Sequence, residues 1–188
     1  MAKIITVPNH KLREISKPVL VDKKTLELIK ELKQTLLDSE EKMIGVGLAA
    51  VQIGVLKQVF LAYSPNSKKL LTFINPEIIW FSQRMTDSKK SKFEGCLSVP
   101  GRWAIIKRSK EVKIKYQTEG GKEQVRKFSG MMAIEVQHEY DHLLGIEFTE
   151  KISDYKKLMT AEFYRATIKM SPEQIEASKI TKKVATRL

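Results

Sequence analysis

His138, Glu139 and His142 form an H-E-x-x-H pattern that uses two of only three histidines in the chain. Residues four apart on an α-helix share a face, so both imidazoles can reach one metal ion. Glu139, beside the first histidine, stands where a metal-bound water needs a base. The chemistry implied is metal-assisted hydrolysis of an amide-like bond. A surface helix can carry the same residues with no metal. Here, however, Met131, Met132, Ala133, Ile134, Val136, Leu143 and Leu144 surround the pattern on most sides. A helix apolar nearly all round is buried, and buried His, Glu and Asp need partners or a metal.

Hydrolytic metal sites usually combine three protein ligands with one position open to water. Cys96 and Glu162 are the candidates for the third ligand. Cys96 lies in Glu94-Gly95-Cys96-Leu97-Ser98-Val99-Pro100-Gly101, a run bracketed by Gly and Pro. Such a turn-forming run can present a thiolate and a free backbone N–H together, although a free cysteine is commonly just a small buried hydrophobe. Glu162 would suit a thermolysin-like protease, and it equally reads as an exposed helix position. A His₂Cys set also occurs in electron-transfer copper sites. Two histidines on one helix with a carboxylate between them fit hydrolysis better. Glu94, Asp141 and Arg108 are candidates to orient the ligands or to pair with one another.

These residues need elements to hold them. Asp22 predicts a helix N-cap, and Leu26, Ile29, Leu32 and Leu36 give a helical stripe from Lys23 to about Lys42. Small residues from Gly45 to Gly54 break that pattern. Strand-like runs follow at Val59 to Tyr63, Leu71 to Ile74 and Ile78 to Phe81. Val112 to Tyr116 alternates as a half-buried strand does, Glu119-Gly120-Gly121-Lys122 marks a turn, and Val125 to Phe128 returns as its partner. The motif helix is expected over about Gly130 to Leu144, with Gly145 as a left-handed C-terminal residue. A second helix is expected over Asp154 to about Lys169. The whole reads as one α+β domain, with short, mostly antiparallel sheets around a central metal-binding helix and an additional C-terminal helix. Its catalytic region is expected over 1–170, followed by a basic, mobile tail over 171–188.

The chain has 188 residues, enough for one domain with a real core. Its 42% hydrophobic and 30% charged content is ordinary for a globular protein. No apolar run is long enough to span a bilayer, and Met1 to Pro8 lacks a signal-like apolar region, which predicts no membrane association and a cytoplasmic location. The single cysteine excludes an intramolecular disulfide and suits a reducing compartment. With 34 basic and 22 acidic side chains the net charge is +12, which favours contact with polyanions such as RNA. The positive residues are spread along the chain, so RNA is expected as a neighbour rather than as a substrate.

Three segments together resemble the three motifs of the peptide deformylases, in the expected order. Gly45-Val46-Gly47-Leu48-Ala49-Ala50-Val51-Gln52 is similar to the first, Glu94-Gly95-Cys96-Leu97-Ser98 to the second and Gln137-His138-Glu139-Tyr140-Asp141-His142 to the third. The similarity in layout covers about Ile5 to Arg165. It implies that Cys96, His138 and His142 hold the metal, with water as fourth ligand. It also implies removal of the formyl group from formylmethionine at the start of new polypeptides. Glu139 is then the base, and the Gln52 amide and Leu97 backbone N–H donate to the developing oxyanion. The same resemblance places Val46, Gly47, Met131, Ile134 and the aliphatic part of Glu135 around the methionine side chain. Glu135 departs from the family pattern, which has an apolar or small residue there. A carboxylate would polarise that wall unless Lys92 or another cation pairs with it. Fe(II) is implied as the active ion, with Zn, Ni or Co able to occupy the same donors. Nascent polypeptide N-termini are the expected partners, with docking on the ribosome through the basic surface and C-terminal region and no stable protein partner.

Two other functions compete. A metalloprotease would use the same water chemistry with Glu162 as ligand and a groove for internal peptides. A non-catalytic ribosome- or RNA-associated factor would account for the charge, but a purely structural metal site has no use for Glu139.

Overall fold

The helical stripe after Asp22 forms α1 (Lys23–Asp38) in the computed structural model, which describes residues 2–39, 47–86, 93–153, 155 and 158–160. The Asp22 side chain accepts the Thr25 N–H at 2.8 Å, as an N-cap does. Thr25, Leu28, Ile29, Leu32, Thr35 and Leu36 are buried along one face. The helix stops at Asp38, short of Lys42; residues 40–46 lie outside the described set.

Among the described residues eight strands follow, in the order β1 (Gly47–Ala49), β2 (Val59–Ser64), β3 (Lys69–Phe81), β4 (Glu94–Cys96), β5 (Val99–Ala104), β6 (Glu111–Gln117), β7 (Glu123–Ser129) and β8 (Met159–Thr160). The motif helix α2 (Gly130–Leu143) lies between β7 and β8. Five strands make one antiparallel sheet in the order β1-β2-β3-β6-β7, and β4-β5-β8 make a second. Strand alternation sends successive residues of β2 to opposite faces. Phe60 and Ala62 join Phe73, Ile114 and Phe128 beneath α2, whereas Val59 and Leu61 pack with Leu28, Leu32 and Leu36 of α1. The sheet therefore has one helix on each face, and α2 carries the site residues between the two sheets.

Three expectations change. Leu71 to Ile74 and Ile78 to Phe81 are not separate strands but parts of β3, which bulges between Ile74 and Glu77 and between Ile78 and Trp80. Asn75, at φ 47°, absorbs the first irregularity. Its side chain bonds the Val19 N–H at 2.8 Å and the Val19 carbonyl at 2.7 Å, so the break ties down the N-terminal segment instead of turning the chain. The turn-like run from Glu94 to Gly101 is a β4–β5 hairpin. Met159 and Thr160, expected in a helix, pair with Trp103 and Arg102 along β5. The remainder of the expected C-terminal helix and the 171–188 tail lie outside the described residues. Gly145 ends α2 at φ 72° as expected, and a Cβ there would sit 2.6 Å from the Arg13 carbonyl carbon.

Candidate metal centre

α2 is buried on most sides, and it carries a cluster of polar residues inward. His138, Glu139, Asp141 and His142 are buried together with Gln137. Gln137 is a structural peg: it accepts the Ser109 N–H at 3.1 Å and donates to the Ser109 carbonyl at 2.9 Å. His138 and His142, one turn apart, bring their rings to a centroid distance of 5.0 Å. Cys96, at the end of β4, places its Sγ 3.1 Å from His142 Nε2. One donor atom from each of Cys96, His138 and His142 lies within 4.8 Å of the others.

The donor set fits a metal. Bonds of about 2.3 Å to sulfur and 2.0–2.1 Å to nitrogen set tetrahedral donors roughly 3.5 Å apart, a spacing these three side chains bracket. Burial pushes the Cys96 thiol up, but the His142 and His138 rings outweigh it and bring the thiol down to about 6, so it is a thiolate at neutral pH. The other nitrogen of His138, Nδ1, is 3.1 Å from Glu94 Oε2. That contact turns Nε2 towards the other ligands, as a carboxylate–histidine pair does in metal sites.

Glu94 is held in turn. Arg108 donates from Nε to Glu94 Oε1 at 3.0 Å and from Nη2 to Oε2 at 2.9 Å. Its third donor, Nη1, pairs with Asp141 Oδ2. Burial raises the Glu94 carboxyl, yet His138 and Arg108 together hold it at about 2. Lys151 closes the chain with an ion pair to Asp141 Oδ1 at 2.9 Å. The sequence marked Glu94, Asp141 and Arg108 as possible partners; Lys151 carried no signal, being a lone lysine ten residues past Asp141.

Glu139 is set apart from this network. Its Oε2 is buried and finds no hydrogen-bond partner in the protein. Burial raises its carboxyl, His138 opposes that, and neighbouring Glu135 adds to it, leaving the group at about 8. Such a carboxyl beside the ligands is suited to carry a proton. Gln52 reaches the same space. Its Oε1 accepts the Ala49 N–H at 2.8 Å, which aims Nε2 at Ser98 Oγ (3.2 Å) and Cys96 Sγ (3.5 Å).

The other expected residues fall as follows. Leu97 is half-buried in the β4–β5 turn against the α1-side core. Gly47 opens β1, where a Cβ would collide with Glu139 Oε1 and lie 2.6 Å from Glu135 Oε1. Glu135 and Ile134 are half-buried on α2, and Met131 is 38% exposed at its start. Val46, Lys92 and Glu162 lie outside the described residues. Among the described residues no helix is long and apolar enough to cross a membrane.

The chain is similar to known proteins over most of its length. The family model described as polypeptide deformylase matches residues 1–158. A peptide deformylase of Bartonella tribocorum is 37% identical over 175 residues, covering 90% of this chain and 94% of that protein. The crystal structure of peptide deformylase from Thermotoga maritima matches with a TM-score of 0.73 at 33% identity, over 82% of this chain and 99% of that one. A class I type b peptide deformylase from Acinetobacter baumannii with Met-Ala-Ser bound matches with a TM-score of 0.71 at 32% identity, over 80% of this chain and 98% of that one.

Proposed function

The chain belongs to the polypeptide deformylase family, and from that premise we propose that Cys96, His138 and His142 are its metal ligands and Glu139 its base. The reaction is the hydrolysis of the formyl group from formylmethionine at the start of nascent polypeptides. The observation that carries the assignment is the convergence of one thiolate and two imidazoles within 4.8 Å, beside a buried carboxyl with an unpartnered oxygen.

A divalent ion bound there supplies a Lewis acid and lowers the pKa of water to near neutrality. Glu139 takes the proton from the attacking water and delivers it to the amine nitrogen as the C–N bond breaks. Gln52 Nε2, fixed by the Ala49 contact, and the Leu97 N–H donate to the formyl oxygen as it gains charge. The Glu94–Arg108–Asp141 chain holds His138 in the tautomer that frees Nε2. Formate and a free amine leave. Gly47, Met131, Ile134 and the stem of Glu135 are assigned to the wall for the methionine side chain, and Val46 is assigned to it from the first motif alone.

The ion is Fe(II), with Zn, Ni and Co accepted by the same donors. The catalytic region spans 1–170, and the basic 171–188 tail adds attraction to ribosomal RNA, consistent with a net charge of +12. A cytoplasmic location follows from a substrate that is still being synthesised and from a thiolate ligand that needs a reducing compartment.

Anaerobic purification with elemental analysis, coupled to formate release from formyl-Met-Ala, tests the assignment. One equivalent of metal per chain is expected, and Cys96→Ala is expected to lose both metal and activity. Retention of metal and formate release by that variant would remove Cys96 from the ligand set.

A further inference from the structure

The stem of Glu135 is assigned to the methionine wall, but its carboxyl has no task in the mechanism above; the residue is half-buried and the carboxyl makes no hydrogen bond or ion pair among the described residues. Burial raises this carboxyl because its ionised form is costly there, so a cation arriving beside it would stabilise the charge that the protein itself leaves unmatched. Its Oε1 and the Oε1 of Glu139 both lie within 2.6 Å of the point where a Gly47 Cβ would be, so the two oxygens are no more than about 5 Å apart. Gly47 is what lets both carboxyls approach β1 from the same side. The cations nearest in the network are already committed: Arg108 to Glu94 and Asp141, and Lys151 to Asp141.

We propose that Glu135 binds the α-ammonium of the deformylated product, sharing it with Glu139. The inference rests on the deformylase reading. Hydrolysis breaks the formyl C–N bond, the water oxygen joins the formyl carbon, and formate leaves as an anion. The nitrogen takes its proton from Glu139, so it forms within hydrogen-bond reach of that carboxyl. At neutral pH a terminal amine is largely ammonium. An ammonium has three donors, and at about 2.8 Å from each oxygen it spans a gap of about 5 Å between two acceptors. The formamide nitrogen of the substrate is neutral and has one N–H. Glu135 therefore discriminates product from substrate, holds the new N-terminus after chemistry, and sets how fast the site clears.

The test uses the metal-loaded enzyme and two competitive inhibitors of formate release from formyl-Met-Ala: Met-Ala with a free amine, and N-acetyl-Met-Ala. The wild type should bind the free amine more tightly than the acetylated peptide. Glu135→Gln should cut that preference about tenfold, the size expected for one hydrogen bond to a charged group. An unchanged preference in Glu135→Gln would overturn the proposal. Glu135→Ala carries the same test if the first variant does not fold. Failure of both to fold would make Glu135 a structural group and overturn it too. If the wild type releases no formate at all, it is the deformylase reading that fails, before Glu135 is at issue.

Discussion

The two α-helices among the described residues flank the same sheet and are built on opposite terms. α1 has a capped start, one apolar face and a polar one, and the buried face holds no titratable group. α2 has no side-chain cap bond at Ser129, and it buries two histidines and two acids among its apolar residues. Apolar burial stabilises α1 outright. In α2 much of that gain offsets the desolvation of polar groups, which are then held by Arg108, Glu94, Ser109 and Cys96. One helix secures the fold; the other gives up stability to position a reaction.

The widest separation between them should appear in turnover. Glu139→Gln keeps the metal and lowers formate release by ~10²-fold or more, since it removes the base and no ligand. Its thermal stability at neutral pH should stay close to that of the wild type, because a carboxyl held at about 8 is already mostly neutral there and the amide has the same shape. Near-normal turnover would remove Glu139 from the mechanism. No substitution on the α1 face should have a comparable effect per folded, metal-loaded molecule.

Arg108→Met attacks the polar side of the comparison. It strips Glu94 and Asp141 of their buried cation, and the expected loss is about 3–5 kcal/mol by denaturant unfolding. Metal affinity should fall ~10-fold or more, because His138 loses its fixed orientation. A variant that is destabilised but binds metal normally would show that the network supports packing alone.

The finest distinction lies in pH. Glu94 is held at about 2 against an ordinary 4.5. The stability it contributes is present above 4.5 and is lost as pH falls from 4.5 towards 2, on the order of 3 kcal/mol. Leu32→Ala, in the α1 core, should cost about 2–4 kcal/mol at every pH in that window. Parallel pH curves for the two proteins, both sloping downward below 4.5, are the expected result; a flat wild-type curve would deny Glu94 its role.

Legibility in the sequence follows the same division. α1, the β6–β7 hairpin and α2 were readable because their signals are local: a cap, a stripe, an alternation, a glycine pair. The β4–β5 hairpin was not, since three-residue β4 looks like a turn until β5 pairs with it. In the sequence β3 looks like two strands because Asn75 and Pro76 interrupt it, and only the contacts with Val19 show why the strand tolerates the interruption. Met159 and Thr160 follow a distant strand edge rather than their own helical tendency. The H-E-x-x-H pattern points to two candidate ligands, while the claim of Cys96 over Glu162 needs either the family resemblance or the 3.1 Å approach to His142. Which carboxylate Arg108 serves depends on partners 14 and 33 residues away, a separation no local pattern encodes.

The three proposed ligands come from different parts of the fold. Cys96 belongs to the three-stranded sheet, whereas both histidines ride on a helix packed against the five-stranded one. An ion bound by all three is a removable rivet between two halves of the molecule. At a free concentration a thousand times its dissociation constant, such an ion adds about 4 kcal/mol to the folded state. Stripping it with a chelator should therefore loosen the seam between the sheets first, speeding amide hydrogen exchange along β4 and β5 while α1 and its side of the core exchange as slowly as before.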